Sequence, residues 1–179
     1  MIVFKRAIAL THYLDKQRKQ GKMTGFVPTM GALHDGHIDL LRAARAGSDI
    51  CVVSIFVNPT QFNDPKDFEK YPITLEKDIE KLEAAHCDIL FLPTVAEMYP
   101  GGTTGGQPYD LGYLENILEG KYRPGHFQGV CMVVHRLLSI VSPANLYMGQ
   151  KDYQQCMVIN RLIELAGIQD DVRLNIVPT

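Results

Sequence analysis

The sequence has no excess of positive charge, no paired cysteines and no long apolar run, and each absence narrows what it can do. Its 18 Lys and Arg stand against 20 Asp and Glu, a formal net charge of −2 over 179 residues. Without a basic field, a nucleic-acid backbone finds no electrostatic partner. The four cysteines, Cys51, Cys87, Cys131 and Cys156, contain no Cys-x-x-Cys pair and sit mostly inside apolar runs, where free thiols behave as small core hydrophobes of a reducing compartment. No run reaches the roughly 18 apolar residues that span a bilayer, and the N-terminus opens on an amphipathic helical pattern instead of a signal peptide. There is no internal repeat and no charge block. The expectation is a cytoplasmic protein that binds neither membrane nor nucleic acid.

What is present is an ordinary globular composition, 46% hydrophobic and 21% charged, enough for one domain with a sizeable core. Apolar, β-rich runs at Thr24–Pro28, Ile50–Val57, Asp88–Leu92, Asn145–Met148 and Val172–Val177 alternate with helical patterns at Arg6–Gln20, Gly36–Gly47, Leu75–His86, Gly129–Val141 and Tyr153–Gly167. Strands separated by helices imply a parallel sheet, and near-continuous apolar strands imply one covered on both faces. The fold class expected is α/β, a doubly wound parallel sheet, with the last run read as a central strand. The stripe Val130, Val133, Val134, Leu137, Leu138 and Val141 reads as core or interface and not as a cofactor wall. The Gly-rich segment Pro100–Leu111 reads as a lid or as a tolerated surface insertion.

The most informative stretch is Phe26 to His37, an apolar strand running through a Gly-containing turn into a helix that opens with two imidazoles. His34 and His37, three apart, share one helix face. A helix N-terminus with two added imidazole donors suits nucleotide phosphates, although a polar surface or a metal half-site remains open for an isolated His-x-Gly-His. In an open parallel sheet the ligand sits beyond the carboxyl ends of the strands, so residues after each strand matter most. Gln61 there suits a substrate hydroxyl or carboxylate, or else local backbone. Lys151 is placed to neutralise phosphate charge, Asp152 to cap a helix or act in the chemistry, and Gln155 beside an apolar face calls for a ligand or network partner. Asp78 lies near the inward stripe of its helix and suits a magnesium or phosphate-water network, or a nearby cation. Arg123, on a turn with His126, suits an anion or bulk solvent.

Phe26 to His37, Ser54 to Phe62 (Ser-Ile-Phe-Val-Asn-Pro-Thr-Gln-Phe), Arg123 to Val130 and Gly149 to Gln155 together resemble the pantothenate synthetases, the pantoate–β-alanine ligases of the nucleotidylyltransferase superfamily. The resemblance covers nearly the whole chain, in order, and implies a Rossmann-like nucleotidylyltransferase domain. It implies a two-step ligation, in which ATP adenylates pantoate with loss of pyrophosphate and β-alanine then displaces AMP, with magnesium accompanying the nucleotide. Carried over position by position, it puts Pro28, Thr29, Met30, Gly31, Ala32, Leu33, His34, Asp35, Gly36 and His37 at the ATP site, with Gly149, Gln150, Lys151, Asp152 and Val177. His37, His34 and Lys151 become the catalytic residues, with His37 in the acid role. Gln61, Gln155, Met30 and Arg123 become pantoate contacts, and Asp78 the position near magnesium. The family pattern departs at Ile73, usually Arg, at Gln150, usually Glu, and at Met132 and His135, usually Thr and Lys. The family is typically homodimeric. It continues past the last strand into a Ser-Ser-Arg-Asn segment and a smaller C-terminal domain, so residues 1–179 read as the nucleotide- and pantoate-binding domain.

Overall fold

A computed structural model describes residues 1–178. Six parallel strands, β1 (Ile2–Phe4), β2 (Thr24–Thr29), β3 (Ile50–Ile55), β4 (Ile89–Phe91), β5 (Asn145–Gly149) and β6 (Arg173–Val177), form one sheet in the order β1-β4-β3-β2-β5-β6. The helices are α1 (Ala7–Lys19), α2 (Asp35–Gly47), α3 (Pro65–Glu69), α4 (Leu75–Ala84), α5 (Val95–Met98), α6 (Leu118–Tyr122), α7 (His126–Val141) and α8 (Tyr153–Leu165). One face of the sheet packs Phe26, Val52 and Phe91 against α1, α7 and α8. The other packs Val27, Val53 and Leu90 against Leu40, Leu41 and Ala44 of α2 and Leu82 of α4. All six residues of β3 are buried, as a strand covered on both sides requires. The doubly wound expectation holds.

Four details differ from the sequence reading. A three-residue strand, β1, precedes the first helix and pairs with β4; it is too short and exposed to leave a periodic signature. The last strand, β6, is at the edge of the sheet and not central. The α7 stripe is buried in the core, and Val130, Val133, Val134 and Leu137 of it also wall a cavity, so it is more than packing. Residues 101–108 are exposed and none of them lines that cavity.

The sheet opens where the winding reverses. β2 pairs with β3 from Thr24 to Thr29 but with β5 only at Gly25 and Phe26. Pro28 has no N–H to offer a ladder, and a proline is tolerated in a central strand only where pairing has already ended on its N–H side. The backbone of Thr24 binds toward β5 and that of Thr29 toward β3, so by the alternation of a parallel strand Pro28 faces the β5 side, where the two strands have separated. The crevice lies at the topological switch point, where open α/β sheets take their ligands.

Candidate active site

Above the β2/β5 split lies a cavity of about 430 Å³ lined by residues from five regions of the chain, within 28–30, 34–40, 56–71, 119–137 and 147–155. Its lining is mixed. Val130, Val133, Val134 and Leu137 of α7 form an apolar wall, while amides, imidazoles and carboxylates face it from the strand ends.

The imidazoles are oriented by the start of α2. His34 is the N-cap in extended conformation, and its Nδ1 accepts from the Gly36 N–H at 3.1 Å. Reciprocally, the His34 N–H donates to Nδ1 of His37 at 3.2 Å. The pair is a capping box built from two histidines where Ser or Thr and Glu are usual. Both Nδ1 atoms are acceptors, which leaves Nε2 as the N–H donor of each ring, and both residues line the cavity. The rings lie 4.0 Å apart, tilted by 37°. Burial, then the neighbouring His34, pushes the His37 pKa down to about 4, against a smaller opposing pull from Asp78. At neutral pH His37 is an uncharged hydrogen-bond donor.

Asp78, on the first turn of α4, is 2% exposed. It accepts from the N–H of Ala32 at 2.9 Å and of Leu33 at 2.8 Å, and from Thr74 Oγ1 at 3.1 Å. Among the described residues no three His, Cys, Asp or Glu side chains come together as a metal cage.

Gln61 reaches the cavity from the 3₁₀ turn Pro59–Gln61 after β3. Its Oε1 accepts from Asn58 Nδ2 at 3.1 Å, and its Nε2 approaches Met30 Sδ at 3.3 Å. Asn58, 1% exposed, is the hub of this corner. It also donates to the Gly129 carbonyl at 3.1 Å and accepts from Tyr99 OH at 2.8 Å and from the Thr60 hydroxyl at 3.0 Å. The turn lies directly on α7 because residue 129 is glycine; a Cβ there would stand 2.3 Å from the Thr60 carbonyl oxygen. His126 completes the corner, its Nδ1–H donating to the Gln61 carbonyl at 2.9 Å and its Nε2 accepting from the Arg123 guanidinium at 3.2 Å. Arg123 is paired with Glu119, so it is neither free in solvent nor unpartnered. Burial, and after it the Arg123 charge, lowers the His126 pKa, against pulls from the Gln61 carbonyl and Glu119.

On the far wall, Gln155 lines the cavity and its amide has no hydrogen-bond partner among the described side chains. Asp152 stands at the N-cap of α8 but makes no capping bond, and it is one of the residues that line the cavity. Gly149 ends β5 at the cavity, whereas Gln150 and Lys151 are exposed and outside its lining. Val177 pairs with Gly149 and packs on the α2 side of the sheet, away from the lining.

The sequence reading missed Asn58 as a hub, the hydrogen bond from Tyr99, the pairing of Glu119 with Arg123, the place of Tyr71 in the cavity lining, and Lys81, which donates to the Leu33 carbonyl. An Asn directly after a buried strand and before a proline was the one available signal.

The family model for pantoate-beta-alanine ligase matches residues 2–179. The pantothenate synthetase of Cytophaga hutchinsonii is 52% identical over 151 residues, 84% of this chain and 53% of that protein. That of Porphyromonas gingivalis W83 is 48% identical over 168 residues, 94% of this chain and 59% of that protein. The chain thus spans a little over half the length of these curated relatives. Among solved structures, a pantoate-beta-alanine ligase from Francisella tularensis complexed with beta-gamma ATP and beta-alanine superposes with a TM-score of 0.92 at 44% identity, over 100% of this chain and 67% of the other. The pantothenate synthetase of Thermus thermophilus superposes with a TM-score of 0.90 at 42% identity, over 100% of this chain and 62% of the other. By sequence and by fold, the chain belongs to the pantoate–β-alanine ligase family.

Proposed function

We propose that this chain holds ATP and pantoate for adenylation, the first half of an ATP-dependent ligation of pantoate to β-alanine. The observation that carries the reading is the pairing, across one switch-point cavity, of two Nε2–H imidazole donors at a helix start with two amides on an apolar wall. Pantoate carries a carboxylate, two hydroxyls and a quaternary carbon bearing two methyl groups. Gln61 and Gln155 take the polar groups, and Val130, Val133, Val134 and Leu137 take the methyls. The amides bind without a fixed charge that would trap the product.

The nucleotide phosphates lie over the α2 N-terminus, against His34 and His37 and the backbone of Pro28 to Gly36, with Gly149 to Asp152 on the other side. The pantoate carboxylate attacks the α-phosphorus in line, the bond to the pyrophosphate oxygen breaks, and the acyl adenylate forms. A carboxylate is already deprotonated, so the step needs alignment and charge neutralisation more than a base. His37, neutral and donating, stabilises charge as it builds on the phosphoryl oxygens, and Lys151 swings in from the rim as a point charge. β-Alanine then attacks the acyl carbon through its amine, and AMP leaves. Magnesium belongs with the nucleotide: it usually keeps its waters and substrate phosphates and takes few protein ligands, and the carboxylate nearest the loop, Asp78, already has both oxygens bonded.

The reading places the chain in the cytoplasm, in keeping with four buried free thiols, and as a homodimer; sedimentation of a monomer alone at tens of micromolar would remove the dimer. Among the described residues no helix is long and apolar enough to cross a membrane. The deciding experiment is pyrophosphate release from ATP on addition of pantoate. Release with pantoate supports the reading. Release only with a different acid or a nucleotide precursor sinks it, and binding of both ligands without release reduces the chain to a binding unit.

A further inference from the structure

We infer that Asp78 is a positioning residue: with Lys81 it clamps the backbone of residues 31–33 from behind and so sets where the two imidazole donors stand, with no part in metal ligation. The inference rests on the reading of His34 and His37 as nucleotide contacts.

The segment joining β2 to α2 adopts a conformation it would not hold alone. Gly31 and Ala32 are successive left-handed residues, at φ 81° and 50°. For alanine this region costs about 1–2 kcal/mol, and such a residue persists only where its surroundings over-determine it. The surroundings are α4. Asp78 takes the N–H of Ala32 on one carboxylate oxygen and the N–H of Leu33 on the other. One turn along the same helix, Lys81 donates to the Leu33 carbonyl. A Cβ on Gly31 would lie 3.1 Å from Ile55 Cγ2 and 3.2 Å from Asp78 Oδ2, a tight fit that adds to the preference for glycine at a left-handed position.

The grip reaches the imidazoles through a single peptide unit. Its carbonyl end, at Leu33, is held by Lys81, and its N–H end, at His34, donates to Nδ1 of His37. If the Leu33–His34 peptide rotates, the capping bond is lost, and with it the constraint that keeps the His37 proton on Nε2. The carboxylate of Asp78 has two backbone N–H groups and a hydroxyl as partners, which is how a protein satisfies a buried anion with its own dipoles. Oδ1 takes two of these donors and Oδ2 one, so three of the roughly four lone-pair sites are spent on the protein itself.

The test uses Asp78→Asn, nearly isosteric but turning an NH₂ toward a backbone N–H, and Lys81→Met, an exposed site whose loss leaves the core untouched. Two measurements are made: ¹⁵N spectra of the His34 and His37 rings without nucleotide, and ATP titration calorimetry in magnesium and again in EDTA. In both variants the His37 signals should move from a single Nε2–H tautomer to a mixture. In Asp78→Asn, ATP affinity should fall by about tenfold, the equivalent of one charge-assisted hydrogen bond, and by the same factor in both buffers. A loss confined to the magnesium buffer makes Asp78 a metal ligand and overturns the inference. Unchanged ring signals with only a lower melting temperature make it a merely structural residue, and overturn it equally. If the unaltered protein binds no ATP in either buffer, the nucleotide reading falls, and the ring spectra still decide whether the clamp exists.

Discussion

On the proposed reading His37 has two jobs, one for each ring nitrogen, and the jobs separate by mutation. Its Nδ1 accepts the His34 N–H at 3.2 Å and so caps α2; its Nε2–H faces the cavity. Asparagine can present an acceptor near the Nδ1 position with nothing at Nε2, whereas glutamine can reach back with its Oε1 as the usual capping-box residue does or offer its NH₂ to the cavity, but cannot hold both imidazole positions at once. In His37→Asn the cap survives, so stability should change by less than about 0.5 kcal/mol, as between good capping residues. The adenylation rate should nevertheless fall by about 10²–10³, the usual cost of removing one preorganised donor to developing charge. In His37→Gln the cap can also survive, so stability should again change by less than about 0.5 kcal/mol, with a rate loss of about tenfold or more.

The assay is single-turnover pyrophosphate release at saturating ATP and pantoate, beside thermal melts of the same samples. Pantoate affinity, assigned to the opposite wall, should stay within about twofold in both variants, because contacts that do not share partners act independently. An Asn variant that releases pyrophosphate at the unaltered rate would show that the Nε2–H donor does no chemistry. A variant whose pantoate affinity falls while its saturated rate holds would place the imidazole on the wrong substrate.

Three further outcomes follow from the geometry. Gly129→Ala should destabilise by about 1–3 kcal/mol, because a Cβ 2.3 Å from the Thr60 backbone forces the turn off α7 and overpacking outweighs the gain in helix propensity; it should also weaken pantoate binding through Gln61, and a melt at or above the unaltered temperature would refute the packing argument. Gln155→Ala should weaken pantoate binding by about tenfold, the equivalent of a hydrogen bond to a charged group, with ATP affinity and the melting temperature nearly unchanged, since its amide holds no partner among the described side chains; calorimetry reads both. For His37 the folded pKa, about 4, lies below the unfolded 6.5, so the unfolded chain takes up the proton first: stability should be level above pH 6.5 and decline as pH falls from there to about 4, and an NMR titration showing His37 with a midpoint near 6.5 would contradict it.

How much of this was legible in the sequence follows from the range of each interaction. The layered α/β order was readable because each strand and helix carries its own periodic signal, and burial on both faces of β3 writes itself into six consecutive residues. The two imidazoles were readable because capping is local: His34 and His37 satisfy each other within one turn. Asn58, Tyr99 and Gly129 were not, since what makes them important is contact across 41 and 71 positions, and no local pattern encodes which distant carbonyl an amide will meet. β1 was lost for the opposite reason, three residues, two of them exposed, being too few to show any period.

Asp78 and Asp152 show the same limit from the side of chemistry. Both are carboxylates at helix starts, and each reads in the sequence as either structural or functional. The fold gives them different surroundings. Asp78, expected near magnesium, accepts from three protein donors, whereas Asp152, placed to cap α8, makes no capping bond and is one of the residues lining the cavity. An acidic residue becomes structural when a neighbouring loop brings it unsatisfied N–H groups, and that depends on the path of the loop. Here the path is set by two left-handed residues, Gly31 and Ala32. The glycine was visible in the sequence; the alanine gave no sign of its conformation, which exists only because α4 is there to hold it.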